Sequence, residues 1–210
     1  MYELYIANKN YSSWSLRPWV LLRERDIAFA ERLVPFDGGV GANWTAFRVF
    51  SPSGKVPCLR DGDTVVWDSL AIAEYLAERH AGVWPSDPQA RAWARCAAAE
   101  MHSGFTALRR DMARIEELWS EGLARFGGPF LAGREFTAVD AFFAPVAFRV
   151  QGYGLQLGAT SMAYARRLLD LPAMREWYEA ALVEPWRDPE HEDEARQAGT
   201  WLQDLRVPAG

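Results

Sequence analysis

Residues 56–77 read VPCLRDGDTVVWDSLAIAEYLA, which is two short apolar segments followed by a run with helical spacing. The two segments flank Arg-Asp-Gly-Asp, and Asp-Gly between apolar runs is among the stronger signals of a hairpin turn. Residues 56–59 and 64–67 are therefore predicted to be antiparallel strands. In the run that follows, residues 70–77, apolar residues recur on one helix face, and Asp68-Ser69 before this run are typical capping residues. The stretch predicts strand, strand, helix.

The preceding residues predict a second unit of similar size. Residues 2–7 (YELYIA) favour a strand, residues 14–25 have the apolar spacing of a helix, and residues 28–36 form another extended segment. The glycines of residues 37–44 (DGGVGANW) favour a loop. Strand, helix and strand in this order form a βαβ unit, so residues 1–80 are predicted to be an α/β domain of order βαβ-ββα.

From Pro88 onward strand signals disappear, and Ala, Arg, Glu and Leu dominate in long helical periods. One or two helices are expected over residues 89–120, and a helix or a pair of helices over residues 161–183. Thr137 and Asp140 have the spacing of a capping box before AFFAPVAFRV, whose apolar composition predicts a buried helix. Residues 88–210 are therefore predicted to be an all-helical domain.

Composition excludes several classes of protein. The 210 residues are 50% hydrophobic with a net charge of −5, and counterion release rewards a positive surface, so nucleic acid is not expected as a partner. No apolar run approaches the roughly 18 residues of a membrane helix, and no signal-like segment opens the chain, which favours a cytoplasmic protein without membrane contact. Cys58 and Cys96 are expected to be small buried residues, and the scattered histidines predict no metal site.

Four local motifs stand in order along the chain: NYSSWSLRPW at 10–19, SPSGKVPCL at 51–59, Asp68-Ser69, and TAVD at 137–140. Together they resemble the cytosolic glutathione S-transferase superfamily, the first being closest to the serine-type turn of its bacterial, zeta-like branch. The second is similar to that family's cis-proline segment, the third to its γ-glutamyl-binding pair, and the fourth to its core capping box. The resemblance implies a thioredoxin-like domain, a helical bundle domain, and glutathione as co-substrate without a metal.

The resemblance places the catalytic hydroxyl at Ser12, with Ser13 as the alternative. A free thiol has a pKa of about 8.5, so a thiolate at neutral pH needs donors and positive potential, which a hydroxyl at a helix N-terminus supplies. Read from the residues alone, serines before an apolar helical run are capping residues. The lack of a cysteine in this turn disfavours disulfide exchange, because that chemistry needs a sulfur nucleophile.

The resemblance also implies a set of residues that hold glutathione. A cis Val56-Pro57 bond would turn the backbone of Val56 outward to pair with the cysteinyl part of glutathione, although a trans proline is more common. Lys55 is either a partner of the glycine carboxylate or an ordinary exposed lysine. Asp68 would take the ammonium group, and Ser69 with the helix N-terminus the γ-glutamyl carboxylate. The glycine end has two further candidates, Asn43 and Trp44.

The second substrate would lie in an apolar cleft between the domains. Aromatic and methionine residues at helical spacing are more often core than pocket, so each candidate also has that interpretation. The candidates are Trp14, Trp93, Met101, His102 and Phe105. A zeta-like isomerase handles a dicarboxylate and would need basic residues in the cleft, for which Arg17, Arg109 and Arg110 are available.

The resulting prediction is a cytoplasmic, homodimeric, serine-type glutathione transferase that conjugates glutathione to a hydrophobic electrophile in detoxification. Two other enzymes would use the same thiolate: a glutathione-dependent isomerase similar to maleylacetoacetate isomerase, and a peroxidase. A different class is a non-catalytic binding protein that retains the fold, because fold analogy alone does not settle function.

Overall fold

The chain is described by a computed structural model over residues 1–36, 42–104 and 108–206. Its N-terminal domain is built on a four-stranded sheet in the order β2-β1-β3-β4. The strands are β1 (Tyr2–Ile6), β2 (Phe29–Leu33), β3 (Cys58–Asp61) and β4 (Thr64–Trp67), and the helices are α1 (Ser13–Glu24), α2 (Ala42–Arg48) and α3 (Ser69–Ala77). β1 and β2 are parallel, and the other pairs are antiparallel. The predicted βαβ unit and hairpin are both confirmed.

The C-terminal domain is entirely helical in its described residues. It contains α4 (Pro88–Ser103), α5 (Leu108–Phe126), α6 (Ala138–Gly152), α7 (Ala159–Leu169), α8 (Pro172–Leu182) and α9 (Pro189–Ala198). The apolar helix α6 lies at the centre, as its composition predicts, and packs against α1, α4 and α7. No helix within the described ranges is long and apolar enough to cross a membrane.

A buried carboxylate fixes the start of α6. Asp140 accepts hydrogen bonds from the backbone N–H groups of Leu131 and Thr137, at 3.0 and 2.9 Å, and from the Tyr164 hydroxyl at 2.9 Å. Burial raises the pKa of Asp140 to about 6, while these hydrogen bonds oppose the shift. The predicted reach of Asp140 back to Thr137 is therefore present, and it also ties α6 to α7.

The two domains share one apolar core. Trp19 and Leu22 of α1 belong to the same buried cluster as Phe142 and Phe143 of α6. Polar links accompany this packing, since the Ala138 N–H donates to the Val83 carbonyl at 2.8 Å. The packing of α1 against α6 brings the N-terminus of α1 close to α6.

Three sequence predictions need correction. Ala42, Asn43 and Trp44 belong to helix α2 instead of the predicted loop, because Phe47 on this helix is buried in a small cluster with Phe50 and Cys58. β3 begins at residue 58 instead of 56, and Pro57 has no N–H to donate to a ladder. Cys96 is exposed, because the alanine face of α4 is the face that packs.

Candidate functional site

The turn before α1 holds the predicted catalytic serine. Ser12 is buried and caps the helix: its Oγ accepts from the Ser15 N–H at 3.3 Å and donates to the Ser15 Oγ at 2.7 Å. The Ala7 N–H donates in turn to the Ser15 Oγ at 3.3 Å. The capping interpretation is thus realised in the structure. Hydroxyl hydrogens rotate, so the pair also allows Ser15 to donate to Ser12 and leave the Ser12 proton for a ligand.

The hydroxyls on either side of Ser12 differ in their surroundings. Ser13 is partly exposed. The Tyr11 hydroxyl donates to Glu192 at 2.9 Å and accepts from Arg206 at 2.9 Å. Burial is the main cause that raises the pKa of Tyr11. This hydroxyl is therefore occupied and neutral, and sequence reasoning missed it because its partners lie about 180 residues further along the chain.

The proline segment leads into β3, whose first residue, Cys58, pairs with Tyr5 of β1, the strand that leads into this turn. The Val56-Pro57 bond is cis, as predicted, with Pro57 buried, Val56 partly exposed and Lys55 exposed. The backbone N–H and C=O of Val56 form no hydrogen bond with any residue that the structure describes. An exposed peptide group of this kind can pair with the main chain of a peptide ligand.

Trp44 reaches the same segment from α2. Gly54 has a φ of +65°, and a Cβ added there would lie 2.5 Å from Cδ1 of Trp44, so the indole rests directly on this glycine. Trp44 nevertheless stays 56% exposed, with the Arg48 guanidinium 5.4 Å from its ring centre. The structure therefore brings Trp44 to the stretch that contains Lys55 and Val56, while Asn43 lies partly buried on the same helix.

Asp68 and Ser69 form the N-terminus of α3. The Asp68 Oδ1 accepts from the N–H groups of Leu70 and Ala71, at 2.8 and 3.4 Å, and its backbone has a φ of +78°. Its other oxygen lies 3.2 Å from Nε2 of His102, on α4. Ser69 is buried, and its hydroxyl has no hydrogen-bond partner among the described residues. The motif is therefore a cap whose second carboxylate oxygen contacts His102 and whose buried Ser69 hydroxyl is unpaired among the described residues.

A buried guanidinium lies where the two domains meet. Arg17 is 4% exposed, and its Cζ lies 4.1 Å from the ring centre of Trp14 and 5.1 Å from that of Phe142. Within the described part of the chain its Nε and Nη1 have no hydrogen-bond partner. Burial and the charge of Arg149 lower the pKa of Arg17 to about 10, while Asp68 opposes the shift, so the group stays charged at neutral pH.

The residues predicted to line the site of the second substrate do not all lie close to one another. Trp14 is 43% exposed and stacks edge-on against His102 with ring centres 5.2 Å apart, which places both near Arg17. Trp93 donates instead to Glu121 of α5 at 2.9 Å, because nine residues along a helix place it on the opposite face from His102. Met101 is buried in the core.

Phe105 lies outside the described residues, and so do the side chains of Arg109 and Arg110. In the described ranges no group of three or more histidine, cysteine, aspartate or glutamate side chains is arranged to hold a metal ion.

Comparison with known proteins identifies the family of both domains. Residues 11–79 match the model of the glutathione S-transferase N-terminal domain, and residues 71–180 match that of the C-terminal domain. Glutathione S-transferase 3 of Zea mays is 25% identical over 200 residues, which cover 81% of this chain and 85% of that protein. The matches support the thioredoxin-like N-terminal domain and the helical C-terminal domain.

Two solved structures with bound glutathione have the same fold. A glutathione transferase homolog from Burkholderia superimposes with a TM-score of 0.66 at 24% identity, covering 86% of this chain and 97% of that one. The theta class glutathione S-transferase of Xanthomonas axonopodis superimposes with a TM-score of 0.61 at 26% identity, covering 83% and 95%. The zeta-like branch is not singled out by these comparisons.

Proposed function

Since the chain belongs to the glutathione S-transferase family, we propose that it binds glutathione at the Ser12 turn, Val56 and Asp68 and joins the sulfur to a small electrophile. The observation that carries this proposal is the unpaired peptide group of Val56. The register of β3 and β4 places it beside the N-terminus of α3, where the Asp68 carboxylate is half-exposed and the buried Ser69 hydroxyl has no partner among the described residues. A tripeptide with an ammonium and a carboxylate at its γ-glutamyl end complements these groups.

Each part of glutathione has a proposed partner. The cysteinyl main chain pairs with Val56 next to Pro57, as a strand pairs with a sheet edge. The half-exposed carboxylate of Asp68, which contacts His102, takes the ammonium. The Ser69 hydroxyl and the Ser69 backbone N–H take the γ-glutamyl carboxylate at the positive end of α3, because the N–H groups of Leu70 and Ala71 already donate to Asp68. Lys55 and Trp44 lie by the glycine end.

The reaction needs a stabilised thiolate. When the bound thiol loses its proton to solvent, the Ser12 hydroxyl turns from Ser15 to donate to the sulfur, and the positive end of α1 stabilises the anion. The thiolate then attacks an electrophilic carbon, so that a C–S bond forms and the leaving group departs with the electron pair. Binding both reactants supplies the proximity.

The wider proposal follows the predicted domains. Residues 1–80 bind glutathione, and residues 88–210 complete the electrophile site around Trp14 and His102. We further propose a serine-type enzyme that is cytoplasmic and homodimeric. Sedimentation tests the last point, since a mass near the 23.7 kDa of one chain contradicts a dimer.

A glutathione-dependent isomerase is the second candidate. It is favoured by Arg17, whose charge is buried near Trp14 and is only partly compensated by Asp68. An acidic substrate would supply the missing negative charge. Product analysis separates the two reactions, because isomerisation regenerates free glutathione whereas conjugation consumes it.

The test is a glutathione titration that follows tryptophan fluorescence, combined with the thiolate absorbance of the bound ligand as a function of pH. We expect binding with a thiol pKa well below that of free glutathione. Binding with an unshifted pKa contradicts the activating role of Ser12 and leaves a binding protein. No binding contradicts the proposal as a whole.

A further inference from the structure

The segment that leads into Ser12 is held by the far end of the chain. The Lys9 N–H donates to Glu184 at 2.8 Å, and the Lys9 carbonyl accepts from the Trp177 indole at 3.0 Å. The Asn10 side-chain amide donates to the Ala181 carbonyl at 2.6 Å. The backbone before Ser12 is therefore attached to the end of α8, although about 170 residues separate the two in sequence.

Tyr11 makes the next and most elaborate contact. Its hydroxyl donates to the Glu192 carboxylate, accepts from the Arg206 guanidinium, and accepts from the Asp188 N–H at 3.2 Å. Its ring stacks on His191 with centres 5.4 Å apart. All of these partners lie in α9, at its N-cap, or in the tail that follows it.

The charged partners of Tyr11 are held in place by each other. Arg206 lies 2.7 Å from Glu192 and 2.6 Å from Asp204, and its side chain is only 10% exposed. Burial opposes ionisation of Glu192, but the hydrogen bonds from Tyr11 and Arg206 outweigh it and lower its pKa. The Glu192 carboxylate therefore stays ionised, and the guanidinium is kept in one position.

We propose that Tyr11, Glu192 and Arg206 form a positioning device, the C-terminal clamp, which sets the place of the Ser12 hydroxyl. The proposal rests on the glutathione chemistry proposed for Ser12. Within the turn itself, the Asn8 carbonyl accepts from the N–H groups of Tyr11 and Ser12 at 3.1 and 2.9 Å, and the Tyr11 carbonyl accepts from the Ser13 N–H at 3.1 Å. Ser15 orients the Ser12 hydroxyl from within α1, and the clamp holds the turn from the side of Tyr11.

The clamp affects catalysis by controlling the distance between the Ser12 hydroxyl and the thiolate. The hydrogen bond from Ser12 to a thiolate requires the hydroxyl within a few tenths of an ångström, and a misplacement of about 1 Å costs up to about 100-fold in rate. Tyr11 is the neighbour of Ser12, so a change in its position moves the serine directly. Residues 188–206 thereby belong to the catalytic unit, although none of them is proposed to contact glutathione.

The test is Tyr11→Phe, which keeps the ring on His191 and removes only the hydroxyl. We expect turnover to fall about tenfold while the glutathione Kd changes less than about threefold, and the thiol pKa of bound glutathione to move toward its free value. Arg206→Gln should do the same, and the double variant should lose little more, because both changes break one device. Arg196→Gln is the matched control, since Arg196 contacts Glu192 at 3.4 Å from the exposed side.

Amide hydrogen exchange of residues 12–15 supplies a readout that does not depend on glutathione. We expect faster exchange in Tyr11→Phe and Arg206→Gln but not in Arg196→Gln. Unchanged exchange in the first two overturns the clamp, whatever glutathione does. If the wild-type protein lowers the thiol pKa and the two variants lower it equally, faster exchange also overturns the clamp and leaves a purely structural contact. A wild-type protein that never lowers the thiol pKa contradicts the proposed function instead, and faster exchange would then still support positioning of the turn.

Discussion

The hydroxyl of Ser12 lies 2.7 Å from the hydroxyl of Ser15 and donates a hydrogen bond to it at the first turn of α1. Ser15 is itself tied to the sheet through the Ala7 N–H. The predicted catalytic group is therefore oriented by the same residue that it caps. The two interpretations of these serines, cap and catalyst, are compatible in one geometry.

Ser12→Gly tests the catalytic interpretation with little loss of the cap. Glycine at an N-cap costs only a few tenths of a kcal/mol, whereas alanine costs about 0.5–2 kcal/mol. We expect kcat to fall roughly 100-fold, the effect of removing one donor from a developing anion, with the KM for glutathione nearly unchanged. Ser13→Ala is the control. Full turnover in Ser12→Gly would transfer the role to Ser13 or to the backbone.

Arg17→Met tests why a charge is buried between the domains. An uncompensated buried charge is costly, and replacing even a paired set of buried charges by apolar side chains of similar volume is often neutral or stabilising by about 1–4 kcal/mol. The loss of contact with the faces of Trp14 and Phe142 acts in the opposite direction by about 0.5–2 kcal/mol. We therefore expect the free energy of unfolding in urea to stay constant or to rise.

The matched variant for Arg17 is Arg149→Met, which removes a neighbouring charge from α6. It relieves the like-charge repulsion but leaves the Arg17 guanidinium in place. If Arg17→Met unfolds at clearly lower urea than wild type, the guanidinium is a structural link between the domains. If stability rises while turnover falls, the charge is retained for the substrate.

Local signals were sufficient for most of the fold, whereas the cis Val56-Pro57 bond was predicted from the family resemblance, since a trans proline is more common. The hairpin of β3 and β4 depends on Asp-Gly between two apolar segments, and α3 on its cap at Asp68, so nearby residues determine both. Helix α2 was missed because its stability depends on Phe47, whose partners Ala7 and Cys58 are distant in sequence. Propensity over a short window cannot register such a contact.

The candidate site shows the same contrast between residues that local motifs identify and residues whose roles depend on distant contacts. Val56, Pro57, Asp68 and Ser69 are adjacent pairs within recognisable motifs. The role of Tyr11 depends on Glu192 and Arg206, which no local pattern connects to it. The pairing of Trp14 with His102 depends on how α1 and α4 pack, and Trp93 was misplaced for the same reason.

Gly54→Ala tests the contact between α2 and the proline segment. The new Cβ would meet the Trp44 indole at 2.5 Å in a backbone with a φ of +65°. We expect a loss of unfolding free energy of about 1–3 kcal/mol, since left-handed strain and overpacking add. Glutathione affinity should fall as well, because Trp44 and the adjacent Lys55 must shift. Differential scanning calorimetry and fluorescence titration measure the two effects.

Gly62→Ala is the matched control for Gly54→Ala. Gly62 has a similar φ of +58° in the β-hairpin, but a Cβ there meets no atom within 4 Å among the described residues. Gly62→Ala therefore introduces the backbone strain without a clash between the new Cβ and a described side chain. The double variant Gly54→Ala with Trp44→Ala should recover part of the stability lost in Gly54→Ala. Equal losses at both glycines would contradict a specific contact with Trp44.

The raised pKa of Asp140 predicts how the free energy of unfolding depends on pH. Its pKa is raised from about 3.8 in the unfolded chain to about 6 in the fold, so between these values the folded state binds more protons than the unfolded state. Stability from this group is therefore greatest below pH 4 and falls as pH rises to about 6, by roughly 3 kcal/mol at most.

Urea unfolding at a series of pH values, for the wild type and for Asp140→Asn, isolates the slope that is due to Asp140. Asn should be less stable overall, because its NH₂ group faces N–H donors, but it should not share the decline. A wild-type stability that instead rises from pH 4 to 6 relative to Asp140→Asn would show that the hydrogen bonds from Leu131, Thr137 and Tyr164 outweigh burial and hold the carboxylate ionised.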